Sequence, residues 1–169
     1  MDNKEAEIKR VIENYLQARR AFFELEKKYL NELSGNDNII GRIGEYIAIK
    51  YLEGEGRMSH KHDYRSTKGS DLKTTDGLVS VKMMTSENKN GKGARLTEPW
   101  DELVFILLDQ NYRIASIGHL HHKDFQRYLK EIPGRSKNPN INKRMLKQGG
   151  LFDRYGVVVK DGLTEIISS

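Results

Sequence analysis

The sequence predicts an α/β fold, a mixed β-sheet flanked by helices and preceded by a long N-terminal amphipathic helix. Three patterns carry that expectation. Apolar residues recur at helical spacing in two stretches before residue 53, short strand-like segments flank an Asp76-Gly77 pair, and a near-continuous apolar run, ELVFILL, covers 102–108. The 169 residues suit one domain of about 150 residues, enough to bury roughly two thirds of the unfolded surface.

From Ile8 to Leu33 the residues Ile8, Val11, Ile12, Tyr15, Leu16, Phe22, Phe23, Tyr29 and Leu30 repeat at helical spacing among Lys, Arg and Glu, which predicts one long helix. Ser34-Gly35-Asn36-Asp37-Asn38 ends it and supplies an N-cap for a second helix over 39–52. That second helix, IIGRIGEYIAIKYL, is apolar around most of its circumference and is expected to be buried. Asp76-Gly77 has the composition of a two-residue hairpin loop, because both central positions need positive φ. In that register Thr75 pairs with Leu78, Leu72 with Val81, and Asp71 with Lys82. Residues 102–108 and 112–117 read as strands, the first central and buried on both faces. A helix over 121–129, another within 138–152 and a closing hairpin, GVVVK-DG-LTEII, complete the expected order, with 86–94 as a loop.

Composition narrows the function classes. Lys and Arg number 29 against 24 Asp and Glu, a net charge of +5, which suits a polyanionic partner. With no cysteine there is neither a disulfide framework nor a thiolate zinc site, and a cytoplasmic setting is expected. The N-terminus is charged from its first residues and no apolar run approaches the ~20 residues of a membrane span, so neither a signal peptide nor a transmembrane helix is expected.

The chemistry-bearing residues converge on the predicted hairpin. Directly opposed residues of an antiparallel pair share a face with Cβ atoms ~5 Å apart, so Asp71 and Lys82 become neighbours. Alternation adds Lys73, Ser80 and Met84 to that face and sends Leu72, Val79, Val81 and Met83 to the other. On the preceding helix Glu45 shares a face with Gly41, Ala48, Ile49 and Leu52, small or apolar residues that allow close packing on a sheet. A carboxylate there needs a cation or hydrogen-bond donor, which Lys82 or a metal-bound water would supply. The bland alternatives are an ordinary cross-strand ion pair for Asp71 and Lys82, and a surface glutamate paired with Arg42 or Lys50 for Glu45.

The helix with Gly41, Gly44 and Glu45, the strand Ser70-Asp71-Leu72 and the strand Ser80-Val81-Lys82, followed by the strand from Trp100 to Asp109, resemble the PD-(D/E)xK nuclease superfamily over about 39–117. The likeness is to its restriction-endonuclease-like fold and to the type II restriction-enzyme branch. It implies a Mg²⁺-dependent endodeoxyribonuclease, with Mn²⁺ able to substitute, cutting duplex DNA through Glu45, Asp71 and Lys82. By that resemblance Asp71 and the backbone carbonyl of Val81 bind the metal, Glu45 holds metal-bound water, and Lys82 orients the attacking water and offsets phosphate charge. Ser80 and Lys73 are accessory candidates. The superfamily's second carboxylate position is occupied by Ser80, so either Glu45 compensates or the metal site is weak or dead.

From Lys123 to Lys147 there are eight Lys and Arg against two acidic residues, a composition suited to phosphate contacts. The DNA-binding candidates are Lys89, Lys92 and Arg95 on the glycine-rich loop, and Arg135, Lys137, Asn140, Asn142, Lys143, Arg144 and Lys147. The five histidines, His60, His62, His119, His121 and His122, lack closed tetrahedral spacing and read as a solvated basic rim rather than a zinc site. Cutting two strands with one site per chain favours a homodimer. The expected organisation is a single domain: 1–36 a helical element and candidate dimer interface, 37–118 a catalytic core, and 119–169 a basic helical region with a C-terminal hairpin. The competing readings are a catalytically degenerate DNA-binding or structural module of the same fold, a structure-selective repair or junction nuclease, and an RNA-binding protein.

Overall fold

A computed structural model describes residues 3–33, 38–61, 69–86, 88, 93–132 and 140–166. The chain divides into two units, Met1–Ser34 and Gly35–Ser169. In the first, helix α1 (Asn3–Lys28) is followed by a single turn, α2 (Leu30–Leu33), so the one run expected to Leu33 is interrupted at Tyr29. Val11, Tyr15 and Leu25 of α1 are exposed.

The second unit begins with α3 (Ile39–Gly54), where the Asn38 side chain caps the helix by accepting from the Gly41 amide at 3.1 Å. Then come β1 (Ser59–Lys61), β2 (Leu72–Thr74), β3 (Leu78–Met84), β4 (Ala94–Arg95), β5 (Glu102–Leu108), β6 (Ile114–His121), α4 (His122–Glu131), β7 (Asn140–Ile141), a 3-10 turn (Lys143–Leu146), α5 (Leu151–Tyr155), β8 (Val157–Val159) and a last 3-10 turn (Leu163–Ile166). Six strands form a mixed sheet in the order β1-β2-β3-β5-β6-β8, with β3 and β5 parallel and the other pairs antiparallel. The strands β4 and β7 make a separate pair.

Each face of the large sheet carries its own apolar core, as a sheet flanked by helices requires. On one face Ile47, Ala48 and Leu52 of α3 pack against Leu72, Val79, Val81, Val104, Ile106 and Ile117. On the other, Phe125 of α4 and Phe152 of α5 pack against Leu103, Phe105 and Leu120, with Phe105 and Phe152 stacked at 5.8 Å. The strand at 102–108 is central, between β3 and β6, and six of its seven residues are buried.

Several sequence expectations are corrected. The hairpin turn sits one residue earlier than expected, at Thr75-Asp76 rather than Asp76-Gly77: the Thr74 amide and hydroxyl both donate to the Gly77 carbonyl, at 2.8 and 3.2 Å, and the Thr74 hydroxyl accepts from the Asp76 amide at 3.2 Å. Leu72 therefore faces Val79 rather than Val81, and Asp71 is not directly opposite Lys82. Because the slip is two residues, the assignment of side chains to faces is unchanged. The expected helix within 138–152 is instead a short strand, a 3-10 turn and the start of α5. The C-terminal hairpin is absent among the described residues: β8 pairs with β6, and Leu163 and Ile166, three apart, turn onto the core beneath α3. Strand β1 was not anticipated, since Ser59-His60-Lys61 has no apolar alternation.

Candidate functional site

The α3 helix approaches the sheet closely at Gly44, where an added Cβ would lie 3.0 Å from the Cβ of Met83 on β3. This sets the next residue, Glu45, over the β1-β2-β3 edge, where its carboxylate pairs with Lys61 Nζ of β1 at 2.7 Å. The Glu45 side chain is 22% exposed and that of Lys61 10%. Burial raises the Glu45 pKa, Lys61 opposes the rise, and the negative charge of Asp71 adds to it. Its ion-pair partner is Lys61 rather than the Arg42 or Lys50 of the bland alternative, and Lys50 pairs with Glu53.

Asp71 stands where β2 leaves β3. Its amide donates to the Val79 carbonyl at 2.8 Å, and beyond that point its carboxylate replaces the strand as acceptor for the Val81 amide at 2.6 Å. Lys82 Nζ lies 3.4 Å from the same carboxylate oxygen and donates to the Val81 carbonyl at 3.0 Å. The Ser80 hydroxyl, fully buried, is 3.5 Å from that oxygen, so it buttresses Asp71 rather than contributing a charge. Asp71, Lys82, Ser80 and the Val81 carbonyl thus form one contact group, and Glu45 senses Asp71 from the neighbouring helix. Lys73, exposed on β2, makes none of these contacts among the described residues.

The donors available to a cation here are two carboxylates and a carbonyl, an all-oxygen set suited to Mg²⁺ or Mn²⁺. Their present partners are Lys61 and Lys82, so a cation would compete with two ammonium groups.

Of the DNA-binding candidates, Arg95 on β4 and Asn140 on β7 are paired residues and both exposed. The Asn142 side chain caps the following 3-10 turn by accepting from the Arg144 amide at 3.0 Å, which occupies its oxygen. Lys143 Nζ donates to the Ser86 carbonyl at 3.2 Å, and Arg144 and Lys147 are exposed. Lys89, Lys92, Arg135 and Lys137, like His62, lie outside the described residues.

Sequence reasoning missed a second polar cluster on the α3 face. Glu102, at the start of β5, is 2% exposed and is held by Arg57 through Nη1 at 2.7 Å and Nη2 at 2.6 Å. His119 Nε2 lies 2.6 Å from Glu102, and its Nδ1 is 3.5 Å from the Tyr51 hydroxyl. Arg57 also bonds Asp76 at 3.0 Å, tying the hairpin turn to this cluster. Burial alone would raise the Glu102 pKa, but hydrogen bonds from His119 and Arg57, with their charge, hold it at about 2. Burial and the charge of Glu55 push the Tyr51 hydroxyl up to about 12. His119 is therefore no part of a solvated rim. With Glu102 and His121 it forms the one set of three acidic or histidine ligands within 4.8 Å found among the described residues. A cation there would have to displace a bidentate guanidinium from Glu102. The signal was available in the sequence as a glutamate opening an apolar strand, since a buried carboxylate demands a partner.

No family model matches the chain, and neither does any curated protein. Among the described residues no helix is long and apolar enough to cross a membrane.

Proposed function

We propose that the chain is a metal-dependent endodeoxyribonuclease of restriction-endonuclease-like fold, acting on duplex DNA in the manner of a type II restriction enzyme. The observation that carries this reading is the meeting of Asp71, Lys82 and the Val81 backbone where β2 leaves β3, with Glu45 near enough for its proton affinity to respond to Asp71. Asp71 and the Val81 carbonyl would hold Mg²⁺, with Glu45 holding its water. When bound, the ion would supply Lewis acidity at the phosphate and a more acidic water. Lys82, released from the Val81 carbonyl, would orient the attacking water and face the charge that develops on phosphorus. Ser80 would keep Asp71 in place rather than bind metal. Arg95, Lys143, Arg144 and Lys147 would contact phosphates.

A homodimer suits double-strand cutting. Val11, Tyr15, Ala18, Phe22 and Leu25 follow a four-three spacing along α1, the repeat of a coiled-coil seam, which supports the 1–36 element as its interface.

The test is incubation of the protein with supercoiled and linear DNA in Mg²⁺ or Mn²⁺, with and without chelator, beside folded Glu45→Ala, Asp71→Ala and Lys82→Ala variants. Cutting should need the metal and fall by about 10²-fold or more in each variant. Binding without cutting, unchanged in all three, would refute catalysis. It would favour the degenerate module, a reading that the neutralisation of both carboxylates by Lys61 and Lys82 also supports.

A further inference from the structure

On the sheet face opposite α3 lies a cleft of about 430 Å³ whose walls no carboxylate enters among the described residues. Its floor is the cross-strand pair Leu107 and Ser116 of β5 and β6, with Leu146 beside them. Lys143, Arg144 and Lys147, from the 3-10 turn and its end, and Lys160, just after β8, bring four cationic side chains to it. Lys143 is tethered to the Ser86 carbonyl. Four like charges converging on a cleft raise the free energy of the folded chain unless an anion is present.

We propose that this cleft binds a nucleotide through its phosphate. Phosphate recognition follows from the charge set: Arg144 offers a planar fork for two phosphate oxygens, and the lysines and the Ser116 hydroxyl add single donors. The size follows from the volume, which falls in the roughly 300–1,000 Å³ range of small-molecule sites and would be left mostly empty by a phosphate alone. Leu107 and Leu146 give the sugar or base an apolar wall. The nucleotide could be free or the phosphorylated 5′ end of a DNA strand, and both present the same chemistry. Lys143, Arg144 and Lys147 are also the proposed DNA-phosphate contacts, but neither Asp71 nor Lys82 lines the cleft, so binding there does not require catalysis at Asp71.

Isothermal titration of the full chain with dAMP, inorganic phosphate and deoxyadenosine tests the free ligand. Fluorescence anisotropy with 5′-phosphorylated and 5′-hydroxyl hexanucleotides tests the strand end, all in chelator. We expect saturable binding of dAMP or of the 5′-phosphorylated strand, with deoxyadenosine and the 5′-hydroxyl strand weaker by about tenfold or more, the loss of a charge-assisted contact. Arg144→Glu and Lys160→Glu should each weaken binding by about tenfold or more. Lys123→Glu, an exposed basic position on α4 outside the cleft, should leave it unchanged, as should Asp71→Ala. All of the altered cationic residues are exposed, so circular dichroism should report native folds. Tighter binding of dAMP identifies a free nucleotide, and tighter binding of the 5′-phosphorylated strand identifies a strand end. The proposal is overturned if neither ligand saturates, if the two strands bind alike while dAMP does not bind, or if Lys123→Glu weakens binding as much as the cleft variants.

Discussion

Glu102→Gln should be among the most destabilising single substitutions in the second unit. The residue is 2% exposed, and its carboxyl sits at about 2 rather than the ordinary 4.5. That preference for the charged form corresponds to about 3 kcal/mol at neutral pH. Glutamine keeps the shape but leaves Arg57, 18% exposed, with only the exposed Asp76 as counter-charge, and breaking a buried pair from one side is costly. Urea denaturation at pH 7 should show a loss of about 3 kcal/mol, and thermal melting a drop of about 10 °C for a chain of this size. The sign with pH follows from the lowered pKa. The contribution is fully present above 4.5 and is lost as pH falls toward 2, so the wild-type protein should show a slope there that Glu102→Gln lacks. Adding Arg57→Met should recover part of the loss, because the stranded cation is then gone. A Glu102→Gln protein within about 0.5 kcal/mol of wild type at pH 7, with the same acid slope, would refute the buried-network account.

Gly44→Ala places a Cβ 3.0 Å from both the Cβ and the Sδ of Met83; the sulfur can swing away but the Cβ cannot. It should cost about 1–3 kcal/mol by denaturation and, under the proposed nuclease function, reduce metal-dependent cutting more than its stability loss explains, because Glu45 moves with the helix. If the proposed homodimer forms through the α1 seam, Tyr15→Glu, at an exposed position on it, should leave the helix content by circular dichroism intact and convert dimer to monomer in sedimentation velocity. An unchanged sedimentation coefficient would remove α1 from the interface.

What could be read from the sequence depended on whether a misjudged detail could change the answer. The hairpin register slipped by two residues, yet the separation of Asp71, Ser80 and Lys82 from Leu72, Val79 and Val81 survived, because strand faces have period two. The central strand and α3 were legible because long apolar runs leave few alternatives. The partner of Glu45 was not legible, because Lys61 lies on a strand with no apolar signature and reaches Glu45 only through the β1-β2 pairing. Arg57, Glu102 and His119 lie 45 and 17 residues apart, and no local pattern brings them together. The C-terminal residues misled because Asp161-Gly162 has hairpin chemistry, whereas the burial of Leu163 turns the chain inward instead.

Lys61 holds the balance between a structural ion pair and a cation site. Glu45 is disfavoured as an anion by burial and by Asp71, and Lys61 is its principal relief. Replacing Lys61 with Met keeps the aliphatic volume and removes the charge, so the destabilisation should be about 1–3 kcal/mol at pH 8. Without Lys61 the Glu45 pKa rises further, so the carboxyl takes up a proton as pH falls toward 4.5 and the penalty should shrink over that interval. If the two carboxylates form a metal site, the same substitution removes the ion's competitor. Millimolar Mg²⁺ should then raise the melting temperature of Lys61→Met more than that of wild type, and more at pH 8 than at pH 5, since a proton and a metal compete for Glu45. A stability loss without a Mg²⁺ response would make Lys61 and Glu45 a structural pair and count against the metal reading. No stability loss at pH 8 would contradict the burial of Glu45 itself.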